Sequence, residues 1–371
     1  MKIGVLTYHR SHNYGALLQA VALRHVLAGM GHDVYFVDYW PEYHRDMYRP
    51  LSRGRLKVGG IVGKMRYLIN TALNYRKIKR RISCFDKFIS EYVSPYCRQA
   101  SEKFDVVVYG SDQIWRKQEG MGGELNPVYF GGDVVNADRH VAYAASMGKI
   151  ALTDRDKENI RKWLEKFDGV AVRESDLREV IEEIGVKDVE QVLDPTLLLE
   201  SDDWRNIIDI KPGERHYVLF YDLMPESFDE EAIRRFAKEK GLDLIVLKAR
   251  ADSLIPRKDV LEYEDPAGMV NLIANADYVF TSSYHGLVFS LLFGKDVTAA
   301  FHHNRGRAET LLKMLGIPER LLADRSAALP EGKIDFSVVK GKMDEIRASS
   351  YAFLKKHIGR CVDSEEKNIN L

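Results

Sequence analysis

The chain reads as an α/β protein with two Rossmann-like, doubly wound domains that face a cleft. Short apolar runs alternate with stretches of helical period, the pattern of parallel strands buried on both faces by intervening helices. The alternation breaks after Asp194-Pro195, passes an acidic stretch containing Trp204, and restarts after Lys211-Pro212-Gly213. With 371 residues, 45% of them hydrophobic, the chain has enough apolar material for two separate cores.

In the first series the strands fall at Ile3–Thr7, Val34–Asp38, Asp105–Tyr109, His140–Ala144 and Gly169–Arg173, with a helix over Ala16–Met30 closed by Gly31. The second series has strands at Tyr217–Tyr221, Leu242–Leu247, Tyr278–Thr281 and Asp296–Ala300. Its helices lie near Asp229–Glu239, Pro266–Ala276, Gly286–Phe293 and Glu309–Leu315. A tail from Ile334 to Ile358 has the pattern of one or two amphipathic helices. The expected division is therefore an N-terminal domain over 1–199, a C-terminal domain over 200–333 and a helical tail over 334–371.

Fifty-five Lys and Arg balance fifty-five Asp and Glu, so overall charge gives no reason to expect a nucleic-acid partner. No apolar run is long enough to span a bilayer, and the run Ile3–Tyr8, stopped by His9 and Arg10, reads as a first strand with no signal peptide. Cys84, Cys97 and Cys361 lack metal-ligand spacing; no metal is expected, and unpaired thiols suit a cytoplasmic location. One segment breaks the balance. Between Arg45 and Arg81 stand twelve Lys or Arg and one acid, Asp46. It reads either as a solvated helix face or mobile excursion, or as a basic surface for an acidic glycan or an anionic membrane at the inner face of the cell.

In open parallel sheets the chemistry sits on loops that leave the carboxyl ends of strands. The first such loop, His9-Arg10-Ser11-His12-Asn13-Tyr14-Gly15, opens a helix whose free N–H groups favour an anion, although Ser11 or Asn13 could merely cap it. The second, Gly110-Ser111-Asp112-Gln113-Ile114-Trp115, offers a hydroxyl, a carboxylate and backbone donors in one turn. Ala144-Ala145-Ser146-Met147-Gly148, small residues at a strand end, leaves room for a close approach. The sharpest is Thr281-Ser282-Ser283-Tyr284-His285-Gly286. It places an imidazole at a helix start, where the dipole disfavours the charged ring and leaves it available as a base or a donor. Downstream, His302, His303, Arg305 and Arg307 invite a phosphate or carboxylate, and Lys248 and Arg250 could add charge.

Together these pieces resemble the polysaccharide pyruvyl transferase family. The resemblance rests on Asn13-Tyr14-Gly15-Ala16 with Leu18-Gln19, Gly110 through Trp115, Tyr143 through Ser146, Val192-Leu193-Asp194-Pro195-Thr196, Ser283-Tyr284-His285-Gly286, and Arg307 with Leu311-Leu312. It implies a GT-B-like arrangement and transfer of a pyruvyl group from phosphoenolpyruvate, a co-substrate rather than a resident cofactor, to two hydroxyls of an exopolysaccharide or other cell-surface sugar. The acceptor would be a sugar or a lipid-linked oligosaccharide. His285 is the implied acid/base or donor-contacting group, with Ser282, Ser283, Tyr284 and Gly286 beside the donor and His9, Asn13, Tyr14, Gly15, Ser111 and Asp112 on the cleft loops. Members of the family tend to carry Arg two positions before this His, where Ser283 stands here, so the charge would have to come from Arg173, Lys248, Arg305 or Arg307. Two alternatives keep the architecture: a nucleotide-sugar glycosyltransferase, with Glu309 a candidate for the ribose hydroxyls, and a non-catalytic glycan-binding protein using the basic segment.

Overall fold

A computed structural model describes residues 1–57, 60–248, 257–303, 305–330 and 332–359. Seven parallel strands form the first sheet: β1 (Lys2–Leu6), β2 (Asp33–Asp38), β3 (Cys97–Gln99), β4 (Phe104–Tyr109), β5 (Ala137–Ala145), β6 (Gly169–Val172) and β7 (Glu190–Gln191). Their order is β3-β2-β1-β4-β5-β6-β7. The second sheet, also parallel, has β8 (Tyr217–Asp222), β9 (Asp243–Lys248), β10 (Val260–Leu261), β11 (Tyr278–Thr281) and β12 (Asp296–Ala299) in the order β10-β9-β8-β11-β12. In each sheet the chain winds outward from its first strand and then returns to that strand's other side. This makes a topological switch between β1 and β4 and another between β8 and β11.

The helices are α1 (Tyr14–Gly29), α2 (Glu42–Met47), α3 (Arg53–Lys57), α4 (Ile61–Leu73), α5 (Tyr75–Tyr92), α6 (Asp154–Leu164) and α7 (Ser175–Glu183), followed by α8 (Ser201–Ile207), α9 (Glu230–Glu239), α10 (Pro266–Asn275), α11 (Tyr284–Leu292), α12 (Gly306–Leu315) and α13 (Phe336–His357). Asn13 caps α1, its Oδ1 accepting from Ala16 N at 3.1 Å. Helix α1 is apolar nearly all round because it lies against β1 and β2 and also against α10 and α11. One core therefore runs from the first sheet through α1 into the second.

Three strands escape the apolar pattern. β3, β7 and β10 are two or three residues long and lie at sheet edges, each pairing on one side; such runs are too short to carry a periodicity. Helix α11 starts at Tyr284, two residues before the sequence pattern places it, so His285 sits within its first turn. The tail is a single helix, capped by Asp335.

Helix α13 runs back to the first sheet. Ser350 Oγ accepts from Leu193 N at 3.0 Å, and Tyr351 donates to Leu198 O at 3.2 Å. Phe353 and Leu354 are buried there, and Tyr143 lies 6.1 Å from the Phe353 ring. No helix among the described residues is long and apolar enough to cross a membrane. Because Phe353 is sealed in the core, Phe353→Ala should cost about 3 to 5 kcal/mol, read as a lowered Tm and an earlier urea midpoint. An unchanged midpoint would mean that the tail does not contribute to the core.

Candidate active site

The loops leaving both switch points converge on one cleft of about 240 Å³. From the first sheet come Tyr8, Ser11, Asn13 and Ala16 after β1, His44, Met47 and Tyr48 after β2, and Asp112, Gln113, Arg116 and Gln118 after β4. From the second come Leu223 and Met224 after β8, Ser283, Tyr284 and His285 after β11, and Arg307 after β12. Two guanidiniums and two imidazoles thus meet a single carboxylate, Asp112. That residue takes a left-handed φ of 72°, a mildly strained conformation that Asp tolerates better than most residues. Its Oδ1 accepts from Gln113 N at 2.8 Å.

Behind the cleft wall lies a fully buried carboxylate, Asp194. It caps the turn Pro195–Leu197, where its Oδ1 accepts from Thr196 N at 3.0 Å and from Thr196 Oγ1 at 2.7 Å. Its Oδ2 accepts from Arg173 Nη1 at 2.5 Å and Ser111 Oγ at 3.0 Å, and lies 3.5 Å from His285 Nε2. Burial alone would raise the Asp194 pKa, but the His285 imidazole, the Arg173 guanidinium and the Thr196 hydroxyl outweigh it and hold the carboxyl well below its ordinary range. Arg173 is in turn held above its usual value: burial opposes the charge, and Glu174 and Asp194 more than offset it. Glu174 is buried as well, accepting from Ser146 Oγ at 2.6 Å.

Tyr284 lies against two cations, with Arg173 Cζ 5.0 Å and Arg307 Cζ 5.1 Å from its ring centroid. Arg173 Nη2 and Arg307 Nε are both buried without a hydrogen-bond partner. Unpaired guanidinium donors of this kind are costly unless an anion completes them. Burial and the neighbouring Arg173 charge pull Arg307 below its usual pKa. Burial also pushes His44 down to about 4, so that ring is neutral at physiological pH. The His285 ring lies so close to Gly15 that a Cβ there would fall 1.8 Å from Nδ1, and glycine is what allows helix α1 to approach it.

The expected site residues separate clearly. His285, Ser283, Tyr284, Arg307, Asn13 and Asp112 line the cleft, and Gly15, Ser111 and Arg173 stand behind it, touching His285 or Asp194. Ser283 caps α11 by accepting from Gly286 N at 3.3 Å. Gly286 serves packing, since a Cβ would fall 2.3 Å from Thr281 Oγ1. Tyr14 is buried and bridges the halves by donating to Glu264 O at 2.9 Å.

Others lie elsewhere. Ser282 Oγ is occupied by Leu223 N and Met224 N. Arg305 donates to Leu322 O and Ala323 O, and Lys248 ends β9 beside Asp222; neither lines the cleft. His9 is buried against Phe36, with Nδ1 2.9 Å from Thr7 O. His302 and His303 are exposed, and Arg250 lies outside the described residues. Ligand atoms of His9, Asp38 and Cys97 come within 4.8 Å of one another, a grouping invisible in the sequence, although Arg10 holds both Asp38 oxygens at 2.7 and 3.0 Å.

Asp194 itself was legible only as part of the Val192–Thr196 motif, where an Asp before Pro signals a capped turn. Nothing in the sequence pointed to His44, Tyr48 or Arg116, which the fold brings in from separate loops.

The class defined is a two-lobed α/β protein whose cleft is built from strand-end loops of both sheets. A family model described as polysaccharide pyruvyl transferase matches residues 13–299, and the chain belongs to that family: it is a polysaccharide-modifying transferase with a sugar acceptor. No curated protein matches it. Among solved structures it is similar to an alpha-glucosyltransferase in complex with UDP and DNA, at 11% identity over 96% of this chain and 95% of that one, TM-score 0.46. It is also similar to a putative UDP-N-acetylglucosamine 2-epimerase from Listeria monocytogenes (11% identity, 97% and 91% covered, TM-score 0.45) and to an E. coli heptosyltransferase with ADP (11%, 93% and 100%, TM-score 0.40).

Replacing Asp194 with Asn would leave the buried Arg173 charge with Glu174 alone, 3.5 Å away, so Asp194→Asn should destabilise the fold by about 3 kcal/mol or more. Adding Arg173→Met should recover part of that loss. Because the folded carboxyl lies below its unfolded value, its contribution is present above pH ~4 and fades only as pH falls below that. The acid limb of the wild-type stability curve should therefore be shallower in Asp194→Asn. Simple additivity of the two substitutions in urea titrations would contradict the coupling.

Proposed function

We propose that the cleft transfers a pyruvyl group from phosphoenolpyruvate to two hydroxyls of a cell-surface sugar, forming a cyclic ketal and releasing phosphate. The observation that carries this reading is the buried, unpartnered guanidinium donor of Arg307 on the cleft wall, with the Arg173 charge behind Tyr284 and a histidine 3.5 Å from a buried carboxylate. A phosphorylated carboxylic acid supplies the acceptor oxygens such donors lack. Ser283 stands where family members tend to carry Arg, and Arg307, its Cζ 5.1 Å from the Tyr284 ring centroid, offers the replacement charge. Arg116 adds a second cation to the same wall.

The chemistry balances without a redox partner. The first sugar hydroxyl adds to C2 of the donor while the methylene carbon takes a proton and becomes a methyl group. The second hydroxyl then displaces phosphate at C2, and its proton leaves with the phosphate. Both steps need a group that accepts a proton from a hydroxyl, giving it to the methylene carbon in the first and to the departing phosphate in the second, and His285 is that group in this reading. Asp194, which stays ionised, fixes the ring without entering the cleft. The glycosyltransferase alternative loses its candidate carboxylate, because Glu309 pairs with Lys313 at 2.8 Å along α12 and does not line the cleft. The enzyme would work on the cytoplasmic side of a membrane, with the basic segment 45–81 in peripheral contact with anionic lipid.

Phosphoenolpyruvate at millimolar concentration should raise Tm, as any ligand selective for the native state does. His285→Ala should lower turnover by about a hundredfold or more while leaving Tm close to that of the wild type. A donor that gives no thermal shift, or a His285→Ala enzyme of full activity, would overturn the assignment.

A further inference from the structure

Helix α4 is built inside out. Its polar side faces the protein: Thr71 is buried, and Tyr67 Oη accepts from Ser52 N at 2.9 Å. Its apolar side faces solvent. Ile61 and Val62 are 78% and 81% exposed, and Met65, Leu68, Ile69 and Leu73 are exposed with them. On a helix advancing about 100° per residue these six side chains fall within an arc of roughly 140°. Lys64 and Arg66 flank that arc on its two sides, and among the described residues neither makes an ion pair.

The concentration is local. Nine of the eleven large apolar side chains exposed among the described residues lie between Met47 and Tyr75. A soluble helix normally turns such a stripe inward, and a contiguous exposed one marks a surface that something else covers.

The helix behind it is firmly held. In α5, Phe85, Phe88 and Ile89 are buried. Lys77 pairs with Glu262 at 2.9 Å, and Arg81 donates to Tyr14 Oη at 3.0 Å and to Glu262 O at 3.2 Å. The apolar stripe thus rides on an element bolted to both halves of the molecule.

We propose that the α4 face inserts into the headgroup boundary of an anionic lipid bilayer. Charge selects this occupant over a second copy of the chain. From Arg45 to Arg81 there are twelve Lys or Arg and one acid, and that acid, Asp46, is engaged by Ser52, Arg53 N and Gly54 N. Two such faces would meet cation against cation, whereas an anionic surface pairs with the flanking Lys64 and Arg66 while the lipid boundary covers the stripe. The aliphatic stems of Lys64 and Arg66 can lie along the edge of the stripe with their charges at headgroup level. The inference deepens the membrane contact given above by assigning it to one helix face, and it rests on that placement of the enzyme, not on the identity of the donor.

The test is co-sedimentation of the full chain with vesicles of phosphatidylcholine containing roughly one part in four of phosphatidylglycerol, against pure phosphatidylcholine. Binding should require the anionic lipid and fall steeply at about 0.5 M salt. The exposed-site pair Val62→Glu/Ile69→Glu should reduce partitioning about tenfold or more with Tm unchanged, and Lys64→Gln/Arg66→Gln should weaken it severalfold. Three results would overturn the proposal: equal binding to neutral vesicles, Glu variants that bind like the wild type, or a concentration-dependent dimer in vesicle-free solution that the same variants abolish. The thermal shift with phosphoenolpyruvate, measured on the Glu variants, reads the cleft separately, so failure of one reading leaves the other standing.

Discussion

The contact between Asp194 and Arg173 is out of reach of water, and neither partner can shift without upsetting the buried charges around it, Glu174 beside Arg173 and His285 beside Asp194. That constraint propagates. Ser111 at the end of β4, Arg173 at the end of β6, the turn after β7 and His285 on α11 all meet on one carboxylate, so loops distant in sequence hold fixed positions. A buried ion pair adds little stability over a well-packed apolar replacement. Its value is one of orientation: it fixes an imidazole, and a tyrosine flanked by two guanidiniums, on the wall of the same small volume.

The fold explains why that volume exists. Each sheet reverses its winding beside its first strand, and each reversal opens a crevice at the carboxyl ends of the strands. Here the two crevices face one another, with α1 between the sheets and its N-terminus at the cleft. Gly15 lets that helix come against His285 from the first half while Ser283 caps α11 from the second. The anion-favouring ends of two helices therefore border one site.

How much of this could be read in the sequence follows from the range of the forces involved. The long strands were legible because burial on both faces leaves continuous apolar runs such as Val106-Val107-Val108. The edge strands β3, β7 and β10 were not, being too short to carry a period, and β3 and β7 being polar as well. His285, Asp112 and Arg307 were legible as chemistry at strand ends. Lys248 and Arg305 looked equivalent by position, but position in the chain does not tell which way a loop turns, and Arg305 spends its donors on backbone carbonyls. Asp194 was a motif without a role until the fold placed Arg173 and Ser111 around it. The basic run over 45–81 was plain, whereas the inverted polarity of α4 emerged only once the fold showed which side was covered.

The central claim is that the cations around Tyr284 grip a small phosphorylated acid. Calorimetric titration of phosphoenolpyruvate into the wild type and into Arg307→Gln tests it most directly. Saturable binding by the wild type is expected, with affinity at least about tenfold weaker in the variant at equal Tm. Equal affinity in the two proteins, or no binding by either, would contradict it.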